Sequence, residues 1–298
     1  ALWAVKPEDL AFLTPPDTTR YSDAVTLLKS LGALDIDGKI TPHGKAIASL
    51  PLHPRLGHML TTAGRPAVAL SALLNEQDPL TSDAPCDLTL RLDLLKNNQD
   101  FSKRHSFSYH CNVLDRIKKE AVRLIQMVNH KKSDLSPAQI VALAYPDRIG
   151  KRRLGENPRY LLSSGKGAMF LTADGLGQAP FIVVTKMDGK QKEAGIRQAI
   201  SITKNEIRQL FGDRIKSETR CEWSRRDGRV MARCEEKLGA VALSDRVWKD
   251  VPKETVARAL LKGIREIGLC LNTSAQLFLA RLTAAGGRYD EFTQVYLI

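Results

Sequence analysis

Between positions 148 and 167 the sequence sets Arg148, Lys151, Arg152, Arg153 and Lys166 among Gly165, Gly167 and one aromatic, Tyr160. These residue types suit one chemistry in particular. Guanidinium and ammonium groups neutralise phosphates and release condensed counterions, glycines let backbone come close, and an aromatic ring offers a face on which a base can stack. The eight residues are therefore candidate nucleic-acid ligands. Two structural roles stay open at the same positions, Tyr160 as a core residue and Arg148 as the ion-pair partner of Asp147 or Glu156. The charge balance of the 298 residues agrees with a polyanionic partner: 45 Lys plus Arg against 33 Asp plus Glu, a formal +12.

Other chemistries lack their parts. A nucleotide-phosphate loop needs Gly-x-x-x-x-Gly-Lys-Ser/Thr, but Lys39, Lys45, Lys151, Lys166 and Lys190, each preceded by glycine, are followed by Ile, Ala, Arg, Gly and Gln. No Asp-Glu-x-His or Asp-Glu-x-Asp segment occurs, so this chain is not expected to hydrolyse ATP alone. The histidines form two groups, His43, His53 and His58, then His105, His110 and His130, neither with metal-ligand spacing. Capping and core-edge roles suit them better, and no catalytic residue, metal ligand or cofactor-binding residue is assigned. The five cysteines, 86, 111, 221, 234 and 270, include no Cys-x-x-Cys pair and fit no disulfide framework. The first residue is Ala1, and no long apolar run or signal-like segment is present; the expectation is part of a larger, soluble, cytoplasmic protein with no membrane partner.

The elements that must carry these residues follow from spacing. Val25, Leu27, Leu28, Leu31 and Leu34 form a helical stripe ending near Gly32. Asp35 to Ile40 predicts a tight hairpin about Asp37-Gly38, and Thr41-Pro42 an N-cap followed by proline at the first helical position, opening a helix through Leu50. Helix, hairpin, helix is a winged-helix pattern, placed at 1–60. From 61 to 135 the pattern is a helical bundle, its longest segment running from Tyr109 to Asn129 with Leu114, Ile117, Ala121, Leu124, Ile125 and Val128 on one face. Arg116, Lys118, Lys119 and Arg123 fall elsewhere, as a solvated face or as a basic wall. After Pro146 short β-prone runs at 159–162, 168–171, 181–185 and 198–202 predict a small barrel or sandwich within 136–215. From 216 to 298 come a hairpin and a helix near Pro252 to Ile267. With Asp227-Gly228 as the hairpin turn, Trp223 would face Ala232, Glu222 would face Arg233, and Cys221 would face Cys234, a thiol pair best read as small buried hydrophobes.

Several stretches in combination resemble the bacterial DEAH-box ATP-dependent helicases of the HrpB type. They are Ala24 to Leu34, Ile40 to Leu60 with its Thr-Pro-His-Gly and Leu-Pro-Leu-His-Pro-Arg-Leu elements, Tyr145-Pro-Asp-Arg-Ile149, Tyr160 to Ala168, Cys221-Glu-Trp-Ser with Arg226 and Gly228, and Leu238 to Leu243. Ser224 departs from the acid usual after Glu-Trp, and the tryptophan usual near Asn272 is lacking. The resemblance implies the region that follows the two motor domains: an α+β, multidomain chain with a winged helix, a ratchet-like helical bundle, an OB-like β-barrel and a mixed α/β C-terminal extension. It further implies single-stranded RNA, possibly DNA, as ligand and the motor domains as partners, with ATP and magnesium handled there. A protein-docking module with little RNA affinity is the alternative. A winged-helix DNA reader is weaker, because the helix after Thr41 carries only His43 and Lys45 for base readout.

Overall fold

A computed structural model describes residues 10, 12–128, 133–155, 157–189, 193–268 and 273–286. The chain divides into two compact units, Ala1–Arg214 with Leu238–Val241, and Ile215–Lys237 with Ala242–Ile298. Asn129, His130, Glu156, Lys190, Cys270 and Asn272, named above, lie outside the described residues.

The first unit opens with α1 (Thr18–Ser30), which starts where Asp17 accepts the Arg20 amide at 2.9 Å and ends at Leu31 before Gly32. Asp35 to Lys39 closes a tight turn, with one β-bridge joining Leu34 to Ile40. Thr41 then caps α2 (Pro42–Ala48), its hydroxyl accepting the Gly44 amide at 2.9 Å while donating to the Gly32 carbonyl at 2.7 Å. The helix, turn and helix read from spacing are thus present. His53 caps α3 (Pro54–Ala63), accepting the Arg55 amide at 3.3 Å, the capping role expected of it.

There follow α4 (Val68–Asn75), α5 (Leu88–Lys96), α6 (Asn98–Arg104), α7 (Cys111–Met127) and α8 (Pro137–Ala144). On α7 the expected stripe is buried at Leu114, Ile117 and Leu124, joined by Val113, whereas Ile125 is exposed. Its cations are partly matched: Arg123 grips Glu120 through two bonds and Arg116 lies 3.2 Å from Glu76. Leu80, Leu94, Phe101 and Leu114 form a buried cluster among these helices.

A closed barrel comes next, of β1 (Ile149–Arg152), β2 (Arg159–Leu162), β3 (Gly167–Phe170), β4 (Phe181–Met187) and β5 (Glu193–Ser201). Its order is β1-β2-β3-β5-β4, closed by β4 on β1. All pairs are antiparallel except β3 with β5. Tyr160, Leu162, Ala168, Phe170, Ile182, Val184 and Ile196 fill the interior, so alternate residues on the same strands face outward. α9 (Lys204–Phe211) follows β5, capped by Thr203 and Glu206 in reciprocal bonds.

The second unit holds a three-stranded sheet, β6 (Lys216–Ser224), β7 (Arg229–Leu238) and β8 (Val241–Val247), with α10 (Lys253–Ile267) and α11 (Thr273–Ala284). The hairpin register differs from the sequence expectation by two residues. Trp223 faces Val230, Glu222 faces Met231, Cys221 faces Ala232, and Cys234 faces Thr219. The cause is local. Ser224 donates its hydroxyl to Asp227 at 2.7 Å and accepts the Gly228 amide on its carbonyl at 2.9 Å, so pairing stops at Ser224 and Arg229 and four residues form the loop. The two thiols are therefore diagonal, each partly buried and free.

Candidate nucleic-acid interface

The barrel's outer face is best built from its register. Lys151 pairs with Leu161, Leu161 with Gly167, and Gly167 with Glu193 across β1, β2, β3 and β5. One step along, Arg153 bonds the Arg159 carbonyl, Arg159 pairs with Met169, and Met169 with Gly195. All these residues share the outward parity, opposite to Tyr160, Leu162, Ala168 and Phe170. The face thus carries cations at Lys151, Arg153 and Arg159, with the half-buried apolar side chains of Leu161 and Met169 between strands. Arg197 adds a guanidinium on β5, 3.5 Å from Asp188. Arg153 and Arg159 both approach Glu193, at 3.8 and 3.4 Å, while remaining 46% and 49% exposed.

Of the eight predicted ligands, Lys151 and Arg153 stand on this face. Lys166 is exposed in the tight β2–β3 turn beside it. Gly165 serves that turn: it sits at φ +86°, a left-handed conformation that side chains disfavour, and its amide bonds the Leu162 carbonyl at 2.8 Å. Gly167 has a different reason to be glycine. A Cβ there would stand 3.0 Å from Glu193 Cγ, so the absent side chain makes room for that carboxylate.

Three predicted ligands are placed otherwise. Tyr160 is fully buried in the barrel, its hydroxyl donating to the Leu176 and Ala179 carbonyls at 2.9 Å and its ring edge-on to Phe170 at 5.8 Å. No face of the ring is open to a base, and burial pushes its phenol up to about 12. Burial alternates along the strand, with Tyr160 and Leu162 inward and Leu161 between them outward, which gives Tyr160 the core role. Arg152 shares the inward parity of Gly150, and its Nε is shielded from solvent without a hydrogen-bond partner.

Arg148 belongs to a buried cluster that unites two of the resemblance stretches. Arg55, in Pro-Arg-Leu, directs Nη1 at Asp147 Oδ1 (2.5 Å) and Nη2 at Oδ2 (2.9 Å), and Nη1 also reaches the Ala144 carbonyl at 3.0 Å. Tyr145 stacks with both guanidiniums, Arg55 at 5.3 Å and Arg148 at 5.1 Å from its centroid. Arg148 donates to the Thr185 carbonyl at 2.9 Å and lies 4.0 Å from Asp147. Burial alone would raise the Asp147 carboxyl, yet the Arg55 bonds and charge, backed by Arg148, hold it below its ordinary value. Burial, then the Arg55 charge, lowers Arg148. Tyr-Pro-Asp-Arg thus ties α3 to the start of β1.

Arg159, Arg197, Leu161, Met169 and Glu193 escape a search for basic clusters. Arg159 was visible as a strand-initial cation, but its alignment with Arg153 depends on pairing β1 with β2. Elsewhere, His43 Nε2 and His58 Nδ1 meet at 2.7 Å between α2 and α3, one donating and the other accepting. Among the described residues no group of three or more His, Cys, Asp or Glu is placed to hold a metal ion.

Comparison with known proteins gives this geometry a context. Residues 24–52 match the family described as helicase associated domain (HA2), winged-helix. The ATP-dependent RNA helicase HrpB of Escherichia coli K12 is 24% identical over 287 residues, which cover 93% of this chain and 33% of that protein. Along nearly its whole length this chain is similar to HrpB. The similarity is to the C-terminal part of a DEAH helicase, and the chain spans about a third of HrpB's length. The ATP-dependent RNA helicase DEAH13 of Arabidopsis thaliana is 44% identical over 57 residues, 19% of this chain and 5% of that one. In fold, the HrpB-like chain superposes on the crystal structure of the E. coli DExH-box NTPase HrpB with a TM-score of 0.65 at 24% identity, covering 94% of this chain and 33% of that one. A second HrpB crystal structure gives 0.65 at 22% identity, covering 95% and 34%. No helix among the described residues is long and apolar enough to cross a membrane.

Proposed function

We propose that this chain is the accessory region of a cytoplasmic ATP-dependent RNA helicase, holding single-stranded RNA on the outer face of its barrel. It would couple that strand to motor domains that supply ATP and magnesium chemistry. The carrying observation is the row of Lys151, Arg153 and Arg159 with Leu161 and Met169 set between them. Cations spaced along neighbouring strands follow a phosphodiester chain, and apolar patches between them receive bases without reading their edges. We read the barrel as OB-like, from its five-strand closure and single parallel pair, and the preceding helices as the ratchet-like bundle.

Fluorescence anisotropy with a labelled single-stranded RNA tests this. Binding should weaken steeply with salt, each phosphate contact contributing about 0.7 to the slope of log K against log salt. Reversing Arg153 and Arg159 to Glu should flatten the slope and cost affinity for every sequence alike. Salt-insensitive binding, or none at low salt, overturns the proposal. A docking role is favoured in the second unit by the exposed Leu260 and Ile267 of α10 and Leu277 and Phe278 of α11. Pull-downs with and without nuclease distinguish it.

A further inference from the structure

The two arginines best placed for phosphate already share an anion. Glu193 lies at the β5 end of the row Lys151, Leu161, Gly167, Glu193, and its neighbour on β3 is bare. Its carboxylate spans that gap to reach Arg159 Nε at 3.4 Å and Arg153 Nη1 at 3.8 Å, one carboxylate between two strands' cations. A side chain at 167 would obstruct the crossing, since its Cβ would meet Glu193 Cγ at 3.0 Å and Oε1 at 3.5 Å. Gly167 is in a strand at ordinary φ, so its conformation needs no glycine; the room does. Both arginines remain about half exposed, so the carboxylate holds them in reach of solvent rather than burying them.

We infer that Glu193, laid across Gly167, is an internal stand-in for a phosphodiester, and that RNA reaches Arg153 and Arg159 only by displacing it. This rests on the reading of the barrel face as an RNA site. The device makes the face self-competing. A short or weakly held strand does not displace the carboxylate, whereas one engaging Lys151 and Lys166 as well gains two guanidiniums at once. It also keeps the arginines in a phosphate-ready arrangement when no strand is bound, because a carboxylate and a phosphate accept from the same donors.

The test uses the full chain and a fluorescein-labelled oligouridylate, titrated by anisotropy at several salt concentrations. Glu193→Gln should bind about 3- to 10-fold tighter at low salt, the range set by two half-exposed ion pairs. Its salt slope should steepen by roughly 0.7 to 1.4 as one or two phosphate contacts are gained. Gly167→Ala should move affinity the same way by pushing the carboxylate aside. Adding Arg153→Ala and Arg159→Ala to Glu193→Gln should abolish the gain. If the unaltered protein binds and Glu193→Gln binds equally or more weakly, the stand-in role is refuted while RNA binding survives. If the protein and every variant fail to bind, the RNA reading itself falls, and this inference with it.

Discussion

Removing either member of the Arg55–Asp147 pair breaks the same two hydrogen bonds, yet the two losses should differ in size. Arg55 is 9% exposed and Asp147 37%. Asp147→Ala leaves a guanidinium in the interior with the neutral Ala144 carbonyl, at 3.0 Å, and the Tyr145 ring, at 5.3 Å, in place of a counter-charge. An uncompensated buried charge of this kind costs about 3–5 kcal/mol. Arg55→Met fills the volume of the arginine stem and leaves a carboxylate that water reaches, so the cost falls to about 1–2 kcal/mol. The double variant should be more stable than Asp147→Ala alone, because it no longer buries a lone cation. Urea titration of the full chain at pH 7, followed by far-ultraviolet circular dichroism, measures this. With a slope near 3 kcal/mol/M, the midpoint should drop roughly 1–1.7 M for Asp147→Ala and about 0.5 M for Arg55→Met. Since the Asp147 carboxyl is held below its ordinary 3.8, the pair's contribution is fully present above that value and is lost as pH falls through the lowered one. Arg55→Met proving as costly as Asp147→Ala, or a double variant whose loss equals the sum, would refute the reasoning.

Two further outcomes are expected. His58 is pushed down from 6.5 to about 4 by burial, then by the charges of His43 and Arg214, so the folded state resists protonation at that site. Stability from this source is present above 6.5 and falls between 6.5 and about 4, by roughly 3 kcal/mol at most; His58→Gln should flatten the dependence of the urea midpoint on pH across that window. In the second unit, a Cβ on Gly263 of α10 would come within 2.3 Å of the Trp223 ring. Gly263→Ala should therefore lever α10 off β6 and cost on the order of 1–3 kcal/mol, seen as a red shift and a lower midpoint in tryptophan fluorescence; unchanged emission would mean the helix does not rest on that ring.

The periodic helices were legible because burial there is written one residue at a time. The stripe of α7 and the Thr41-Pro42 start of α2 need no partner to be recognised. β1 was not, since Ile-Gly-Lys-Arg reads as a basic tract when its inward positions are a glycine and an arginine. The beginning of β5 is masked in the same way by Glu193, Gly195 and Arg197. α9 had a readable signature, Thr203 with Glu206 three residues on, which the β-prone texture around it obscures. The hairpin slipped because Asp227-Gly228 looks like a two-residue turn, whereas the Ser224 hydroxyl and carbonyl close a longer loop. At the interface, cation identity was visible but orientation was not: Tyr160 and Arg152 carry the right chemistry on the inward parity, and Arg159 acquires its place only once β1 and β2 pair. Glu193 is further removed, because it joins Arg153 and Arg159 through a parallel crossover that local spacing does not encode.

The stacking of Tyr145 between Arg55 and Arg148, closed by Asp147, has a consequence for descent. Positions 55, 145, 147 and 148 are bound as one unit of inheritance, although a long stretch of chain separates the first from the rest. A lineage that loses the arginine gains little by keeping the aspartate, and one that loses the aspartate first passes through a poorly stable intermediate. Among homologues the four should therefore change together, in the order arginine before acid.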